Sequence, residues 1–424
     1  MKKHLAVLLT GVLSAGTLMG VSQAAHASDT PPSPLTKPGY TLSFDEEFNG
    51  TTLDSTKWMD YYLPHWTSNR ENAKARYTIS NGVLNERIDP DTPAWNPTYD
   101  STVKVSSIQT YDADWWHRFN NTMPNDHHES FNGYTMKYGY IEMRAKLFNG
   151  GGGGHQALWL VGTGDKSSAN GNSEIDMLET FFSAPGTWRQ WGYGWSDPNF
   201  VSQWTGCVCQ LPAGSGDTQN EFHTYGLDWS PTKLDFYFDG QLFKTINDAP
   251  NEAMGLILGI YTDAGSGVHN DVWPKNWQVD YLRTYSKDGG YPGVYERIKD
   301  RQNGKYLNIE NRTGNLESSA VPATYWSSQW TEVPTTDGYT RLKNRWTGEF
   351  MNTAQNTGTV QVGTVSQTQP SADWSLNNLN GYKRIVNRQT GAAMNVEANN
   401  GLVQYSNIQD TAWSAQLAFD YVQN

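Results

Sequence analysis

From Tyr40 onward, hydrophobic side chains tend to recur at every second position, in short segments separated by turn residues. In the segment LDFYF at 234–238, Leu and Phe alternate with Asp and Tyr, and Asp239-Gly240 then precedes another apolar segment. A period of two is typical of strands that bury one face, and an Asp-Gly pair favours the tight turn of a hairpin. No convincing amphipathic helix pattern accompanies these segments. The pattern predicts an all-β protein.

One segment, GNSEIDMLETF, places three carboxylates within six residues, with apolar side chains between them. In a regular strand Glu174 and Asp176 point to one face, whereas Glu179 points to the other. A β-bulge at Met177 and Leu178 would insert one extra residue and return Glu179 to the face of Glu174. We therefore predict a bulged strand that carries all three carboxylates on one face.

Two glutamates that share one groove can catalyse glycoside hydrolysis. In the retaining reaction, carboxyl groups about 5–5.5 Å apart act as nucleophile and as acid/base. One must be ionised to attack the anomeric carbon, and the other must hold a proton for the leaving oxygen. The alternative is structural, because acidic residues that alternate along a strand often form only a solvated face. The spacing by itself leaves both interpretations open.

Five motifs of this chain occur in the order found in glycoside hydrolase family 16. They are FDEEFNGTTLDSTKW at 44–58, YGYIEMRAK at 138–146, the acidic segment, FHTYGLDW at 222–229 and VDYLRTY at 279–285. Residues 40–286 therefore resemble this family. The resemblance implies a catalytic domain with those bounds, folded as a β-jelly-roll sandwich with a substrate cleft across its concave face.

The resemblance also implies roles for individual residues. Glu174 would be the nucleophile, Asp176 the assisting acid and Glu179 the acid/base. A Trp-rich groove suits a polysaccharide, because the C–H faces of pyranose rings stack on indoles. The residues expected to bind substrate are Glu142, Arg144, Trp159, Trp191, Trp195, Trp115 and Tyr261. Structural alternatives are a cross-strand ion pair for the first two and core positions for several tryptophans.

The family commonly carries a structural calcium on the convex face. The resemblance places this ion near Glu47, Gly82 and Asp280, held by backbone oxygens of the first two and by the carboxylate of the third. No cluster of ligands in the sequence supports it independently. We expect no cofactor for catalysis.

The first 27 residues have the features of a secretory signal: two lysines, a short apolar run and the small-residue cleavage site Ala25-His26-Ala27. An uncleaved anchor is the alternative. Residues 28–39 are rich in proline and predict an extended linker. The formal net charge is −12, from 31 basic and 43 acidic residues, which argues against nucleic acid and anionic membranes as partners. We expect a secreted, extracellular monomer that acts on a polysaccharide.

Cys207 and Cys209 are the only cysteines of the chain. An exported protein favours a disulfide, but a single intervening residue closes a tight, strained ring. A Cys-Val-Cys bridge and two free thiols both remain open.

A glycine-rich linker at 287–293 leads into residues 294–424, where one motif occurs three times. The copies are RIKDRQNG, RLKNRWTG and RIVNRQTG, at spacings of 44 and 43 residues. Each is followed by a tryptophan that we expect in the core, namely Trp330, Trp374 and Trp413. Three such repeats predict a C-terminal β-trefoil and resemble a carbohydrate-binding module.

Only the first repeat carries an acid-plus-aromatic pair, which comprises Glu317 and Trp326. The corresponding positions of the other two repeats have lost this pair. We therefore expect one strong sugar site in the module, formed by these two residues.

These observations predict a retaining endo-β-glycanase that works by double displacement. An endo-β-1,3-glucanase is the first hypothesis, because that activity is common among bulge-type members of the family. A β-galactan hydrolase of the endo-β-galactosidase, agarase or carrageenase kind is the alternative, since WGYGW stands where bacterial laminarinases usually carry a histidine. A non-catalytic lectin of two domains is a hypothesis from another class. Transglycosylation would use the same residues.

Overall fold

The structure of the chain is a computed structural model. It describes residues 29–113, 116–117, 129–148, 150, 152–163, 173–184, 186–194, 205–212, 215–250, 252–263, 272–288, 290–291, 294–335, 339–366, 368–379, 382–396 and 400–422. The predicted signal at 1–27 lies outside these residues. No helix within the described part of the chain is long and apolar enough to cross a membrane.

The first part of the chain is built from strands, as the period of two predicts. In chain order they are β1 (Tyr40–Glu46), β2 (Tyr77–Ser80), β3 (Val83–Ile88), β4 (Val105–Gln109), β5 (Tyr111–Asp112), β6 (Phe131–Asn132), β7 (Gly139–Lys146), β8 (His155–Gly162), β9 (Glu174–Phe181), β10 (Thr187–Tyr193), β11 (Thr205–Gln210), β12 (His223–Trp229), β13 (Leu234–Phe238), β14 (Gln241–Ile246), β15 (Met254–Tyr261) and β16 (Lys275–Lys287). Short helical turns lie at Pro64–Trp66, Arg70–Ala73 and Pro97–Asp100.

These strands form two large antiparallel sheets. The first sheet has the order β14-β13-β12-β7-β16-β3-β2, with β1 also paired to β16. The second sheet, which we call the catalytic sheet, has the order β11-β10-β9-β8-β15-β4. Strands β5 and β6 form a separate pair.

The main core lies between the two sheets. On β7, Ile141, Met143 and Ala145 point into this core, whereas Glu142 and Arg144 occupy the alternate positions and point away from it. Burial of a large apolar side chain contributes about 1.5–3 kcal/mol, so the alternation fixes which face of each strand turns inward.

A second cluster, in which half of the buried side chains are aromatic, covers the other face of the catalytic sheet. Trp159 on β8 and Tyr261 on β15 contribute to it from the sheet. The loops before and after β4 contribute Trp66, Trp95 and Trp116. This face is therefore the one on which a cleft is built.

The second part of the chain contains a further set of short strands. They are β17 (Glu296–Asp300), β18 (Tyr306–Asn308), β19 (Glu317–Ser319), β20 (Trp330–Pro334), β21 (Thr340–Asn344), β22 (Phe350–Asn352), β23 (Gln361–Gly363), β24 (Trp374–Leu379), β25 (Tyr382–Asn387), β26 (Ala393–Asn395), β27 (Gln404–Ser406) and β28 (Leu417–Tyr421). Strands β17, β20, β21, β24, β25 and β28 pair in a closed ring. The hairpins β18–β19, β22–β23 and β26–β27 complete the three repeats.

The strand register shows which residues of the repeats are equivalent. Trp330 pairs with the first residue of β17, and Trp374 pairs with the first residue of β21. In the third repeat the equivalent residue is Leu417, which pairs with β25. All three are buried in the core of this part. Trp413 is instead 56% exposed, at the start of a 3₁₀ turn. The prediction of a core position is therefore wrong for Trp413, because Leu417 fills that position.

Cys207 and Cys209 are joined by a disulfide on β11, at the edge of the catalytic sheet. Of the two alternatives that the sequence left open, the structure therefore has the Cys-Val-Cys bridge.

The proline-rich segment after residue 28 lies against the first sheet. Both backbone groups of Thr30 form hydrogen bonds to the rest of the domain. Its N–H donates to Phe222 O at 2.8 Å, and its carbonyl accepts from Arg144 Nε at 2.9 Å. The Ser33 carbonyl accepts from Arg283 Nη1 at 2.9 Å. Instead of a free linker, residues 30–33 thus cover the outer face of the first sheet.

Candidate active site

The acidic segment forms β9, and its register contains the bulge that the spacing predicts. Leu158 and Trp159 are consecutive on β8, yet they pair with Leu178 and Asp176, so Met177 is the extra residue. Met177 and Leu178 are neighbours, and both are fully buried in the main core. The extra residue therefore shifts the alternation by one position for the rest of the strand.

Glu174, Asp176 and Glu179 consequently lie on the cleft face of the catalytic sheet. Burial, followed by the negative charges of Glu174 and Glu179, raises the pKa of Asp176 well above its usual value. The protonated Asp176 carboxyl donates a hydrogen bond to Glu174. This arrangement keeps one proton between two carboxylates and lets Glu174 carry the negative charge.

Glu179 has an environment that favours its acid form. Burial raises its pKa, and the charge of Asp263 acts in the same direction. His155 and Arg189 oppose this shift, and Arg189 lies directly across from Glu179 on β10. A carboxyl group with a raised pKa retains its proton closer to neutral pH, which suits a general acid.

Trp159 and Tyr261 form the floor beside the carboxylates. Trp159 pairs with Asp176 across the strands, and its Nε1 donates to Tyr261 Oη at 3.0 Å. The His155 ring stacks between Phe181 and Tyr261, with centroids 5.0 Å and 4.8 Å away. Trp159 and Tyr261 are both largely buried, so they support the cleft and expose little ring surface.

Trp191 and Tyr193 form an aromatic wall on β10. They pair with Asp176 and Glu174, and their rings are stacked at 6.2 Å. Burial, followed by the acidic groups of Asp176, Glu174 and Glu179, raises the pKa of Tyr193 far above its usual value, so it remains a hydroxyl donor. Sequence reasoning missed Tyr193, although its spacing of two from Trp191 places both on one face.

His117 is a further neighbour of the carboxylates that sequence reasoning missed. Its Nε2 lies 3.4 Å from Glu174 Oε2. The residue has a left-handed backbone with φ 52°, and its ring packs edge-on against Trp159 at 5.3 Å. No local pattern in the sequence identifies it, because it reaches the site from a loop.

Glu142 and Arg144 are not part of this cleft, and the prediction that they bind substrate there is wrong. They lie on the outer face of the first sheet, because β7 turns the alternate residues into the core. Tyr281 Oη donates to Glu142 Oε1 at 2.8 Å, and Arg144 Nη1 donates to Asp280 Oδ2 at 2.6 Å. Their role is to anchor the first sheet and the segment around Thr30.

Trp115 and Trp195, which the sequence also predicts to bind substrate, lie outside the described residues. Of the tryptophans in that prediction, Trp159 and Trp191 are the two whose position the structure describes.

The predicted calcium ligands are only partly brought together. A Cβ at Gly82 would lie 3.7 Å from Glu47 O and 3.8 Å from Asn49 Oδ1, so these oxygens share one region. The Asp280 carboxylate instead accepts from the Arg144 guanidinium. Among the described residues, no group of three or more His, Cys, Asp and Glu side chains is arranged to hold a metal. Asp280 is therefore engaged by Arg144, and the calcium site stays a prediction.

In the second part of the chain, Glu317 and Trp326 contact different partners. The Glu317 carboxylate accepts hydrogen bonds from Asn311 and Thr313. Trp326 begins a 3₁₀ turn and lines an open pocket to which Glu317 does not contribute. The predicted site at Glu317 and Trp326 therefore stays a prediction, in which the pocket supports Trp326.

Comparison with known proteins agrees with this geometry. Residues 98–286 match glycosyl hydrolases family 16. The GlcNAcα1-4Gal releasing endo-β-galactosidase from Clostridium perfringens is 45% identical, with a TM-score of 0.60, and the match covers 94% of this chain and 100% of that one.

Two curated proteins are more distant. Glucan endo-1,3-beta-glucosidase A1 of Niallia circulans is 26% identical over 59% of this chain, which spans only 38% of that protein. Kappa-carrageenase of Pseudoalteromonas carrageenovora is 26% identical over 64% of this chain and 70% of its own length. The chain belongs to glycosyl hydrolase family 16 and is a glycoside hydrolase.

Proposed function

We propose that this protein is a secreted, retaining endo-β-galactosidase. Glu174 acts as the nucleophile, Asp176 assists it, and Glu179 is the acid/base. The observation that carries the chemistry is the position of Asp176. Burial and the nearby carboxylates of Glu174 and Glu179 raise the pKa of its carboxyl group. Three carboxyl groups in one aromatic cleft can supply both an ionised and a protonated group for one reaction.

In the first step, a Glu174 oxygen attacks the anomeric carbon of the galactosyl residue. The bond from this carbon to the leaving oxygen breaks, and Glu179 transfers its proton to that oxygen. The product is a glycosyl ester on Glu174, with Glu179 left as a carboxylate. The hydrogen bond from protonated Asp176 stabilises the Glu174 carboxylate more than the neutral ester, so Asp176 favours departure of Glu174 in the second step.

In the second step, the Glu179 carboxylate accepts a proton from water. The water oxygen bonds to the anomeric carbon, and the bond to Glu174 breaks. Glu174 becomes a carboxylate again and accepts the hydrogen bond from Asp176. Two displacements return the original configuration at the anomeric carbon.

The observation that carries the substrate is the likeness to the Clostridium perfringens enzyme, which is 45% identical across 94% of this chain. It extends over both parts of the chain, whereas the match to the Niallia circulans glucanase covers 59% of it. We therefore favour a galactoside that carries an α1-4-linked N-acetylglucosamine over a glucan. The endo-β-1,3-glucanase hypothesis remains the second candidate, supported by that glucanase.

We also propose that residues 294–424 are a β-trefoil carbohydrate-binding module. The closed ring of β17, β20, β21, β24, β25 and β28, with one hairpin for each repeat, supports this assignment. Such a module would hold the enzyme on a polymeric glycan and raise its local concentration there.

The test is cleavage of p-nitrophenyl β-galactoside that carries α1-4-linked N-acetylglucosamine, beside laminarin, agarose and carrageenan. We expect release of the disaccharide GlcNAcα1-4Gal, with the β-anomer appearing first by proton NMR. Cleavage of laminarin without cleavage of the galactoside would replace the proposed substrate by a glucan. An initial α-anomer would contradict the retaining mechanism.

A further inference from the structure

The second part of the chain exposes a group of large aromatic side chains. Tyr325, Trp326 and Trp346 are 45%, 52% and 42% exposed. They line one open pocket of about 300 Å³ together with Glu310, Thr324 and Ser327. Large exposed aromatics that converge on a pocket with a polar group are typical of ligand sites.

Trp326 is held in a fixed orientation by an arginine from the next repeat. The Arg345 guanidinium lies 4.4 Å from the Trp326 ring and 4.2 Å from the Tyr295 ring. Arg345 Nη1 also donates to Gln329 Oε1 at 2.6 Å. We call Arg345, Tyr295, Trp326 and Gln329 the first platform. An indole that is already immobilised loses little conformational entropy when a ligand binds to it.

The same platform is built at the equivalent positions of the other repeats. Arg301 lies 4.4 Å from Trp413 and 4.5 Å from Tyr382, and it donates to Gln416. This is the third platform, and Trp413 is as exposed as Trp326.

In the second platform, Arg388 lies 4.5 Å from Tyr339 and forms an ion pair with Asp373 at 3.2 Å. Pro370 stands in the place of the tryptophan, at the start of the matching 3₁₀ turn. The contact between an arginine and a tyrosine thus occurs in all three platforms, whereas the exposed indole occurs in the first and the third.

The first platform is extended into a pocket. Tyr325 precedes the indole there, whereas Ala412 precedes Trp413 in the third platform. Trp346 follows Arg345, whereas Gln302 follows Arg301. The guanidinium of Arg312 lies 4.9 Å from the Trp346 ring and fixes this second indole. A sugar ring would therefore meet two supported indoles at the first platform and one at the third.

Glu310 supplies the polar group of the pocket. Within the described part of the chain, its carboxylate has no hydrogen-bonding or ion-pair partner, and only its backbone N–H is bonded, to Asn308 Oδ1 at 3.0 Å. A free carboxylate can accept hydrogen bonds from two neighbouring hydroxyl groups of one sugar ring. Aromatic faces beside such an acceptor match the apolar face and the hydroxyl edge of a pyranose.

We propose that this pocket, formed by Glu310, Tyr325, Trp326 and Trp346, is the sugar-binding site of the second part of the chain and takes a neutral pyranose. The inference rests on the proposed function, because the ligand is a unit of the glycan on which the enzyme acts. The site replaces the predicted pair with Glu317, whose carboxylate is occupied by Asn311 and Thr313. Among the described residues, the first platform is the one that combines two exposed indoles with a carboxylate in a pocket.

The experiment uses the full chain with Glu174→Gln, so that polymer is not consumed, and measures retardation in gels that contain gastric mucin, agarose or laminarin. Trp326→Ala and Trp346→Ala are each expected to weaken binding about tenfold or more, as for truncation of a central aromatic anchor. Glu310→Gln should weaken it less. Trp413→Ala is the matched control, because it removes an equally exposed indole from the third platform, and we expect a change of less than about twofold.

Titration with galactose, N-acetylglucosamine and glucose, followed by tryptophan fluorescence, identifies the sugar. Quenching that is lost in Trp326→Ala but kept in Trp413→Ala would support the site. Thermal unfolding of each variant separates loss of the pocket from loss of the fold, and Trp346→Ala provides a second, independent truncation.

Equal binding by all pocket variants would overturn the inference, as would an equal loss in Trp413→Ala. Analytical ultracentrifugation would detect a change of oligomeric state. If the pocket variants changed the sedimentation coefficient but not sugar binding, the surface would be one of self-association and the inference would fail. If the wild-type protein cleaves soluble galactoside but binds no sugar outside its cleft, only this inference fails. If it cleaves no glycan while the pocket variants lose binding, only the proposed function fails.

Discussion

Arg189 and Glu179 lie directly opposite each other on neighbouring strands of the catalytic sheet. Burial raises the pKa of Glu179, and the positive charge of Arg189 is among the effects that lower it. The pKa of the acid that we assign to the leaving group is therefore set by opposing causes, of which burial is the largest.

This pair predicts the alkaline side of the pH profile. Activity requires protonated Glu179 and should be lost as pH rises through its pKa. Arg189→Met removes a charge that stabilises the carboxylate, so the pKa of Glu179 should rise further and the alkaline limb of kcat/KM should move to higher pH. Arg87→Met, a change to an exposed arginine on the first sheet, is the control and should leave the limb in place. If the alkaline limb of kcat/KM moved to lower pH or stayed fixed in Arg189→Met, the role of Glu179 would be contradicted.

Glu174→Gln should reduce kcat at least about a thousandfold, which corresponds to about 4 kcal/mol of barrier. The change removes the attacking group and keeps the volume of the side chain. Turnover is measured on the aryl galactoside, and binding of the intact substrate by calorimetry should persist. Retention of more than about a tenth of the wild-type rate would show that another group attacks the sugar.

Glu142→Gln is the matched change on the other sheet. Glu142 accepts a hydrogen bond from Tyr281 on the outer face of β7, and a glutamine oxygen can accept the same bond. We expect kcat and KM to stay within about twofold of wild type. A large increase in KM alone would restore the sequence-based prediction that Glu142 binds substrate.

Glu179→Gln should affect substrates according to their leaving groups. A natural glycosidic oxygen needs the proton of Glu179, whereas p-nitrophenolate leaves without one. Rates on the natural glycan should fall at least about a hundredfold, and those for the first step on the aryl glycoside much less. Added azide should restore turnover of the aryl substrate and yield a β-glycosyl azide. Equal loss on both substrates, with no rescue, would remove Glu179 from the acid/base role.

Glu296 predicts a pH dependence of stability. Burial, together with the charge of Glu332, raises the pKa of Glu296 to about 7. Because this value exceeds the usual carboxyl value, the folded state binds the proton more tightly than the unfolded chain does. Stability should therefore fall as pH rises from about 4.5 to 7, with a slope of at most about 1.4 kcal/mol per pH unit for one proton.

Urea unfolding across this range measures the effect. Glu296→Gln should remove most of the slope, since glutamine mimics the protonated form. Glu310→Gln, in which an exposed carboxyl is changed, is the control and should leave the slope unchanged. An unaltered slope in Glu296→Gln would assign the pH dependence to other groups.

The sequence by itself determined the parts of this protein that depend on local spacing. The period of two predicted an all-β chain, and the positions of Glu174, Asp176 and Glu179 required a bulge, which lies at Met177. These inferences hold because a strand alternates its side chains and an extra residue reverses that alternation.

The tertiary structure decided which strand faces lie in the cleft. Glu142 and Arg144 occur in a family motif, but β7 belongs to the first sheet, so the same alternation turns them away from β9. Likewise, Trp326 and Glu317 are close in sequence, yet the indole is held by Arg345 of the next repeat. His117 reaches Glu174 from a distant loop. Contacts between residues far apart in the chain depend on how sheets and repeats pack, and spacing along one strand carries no information about them.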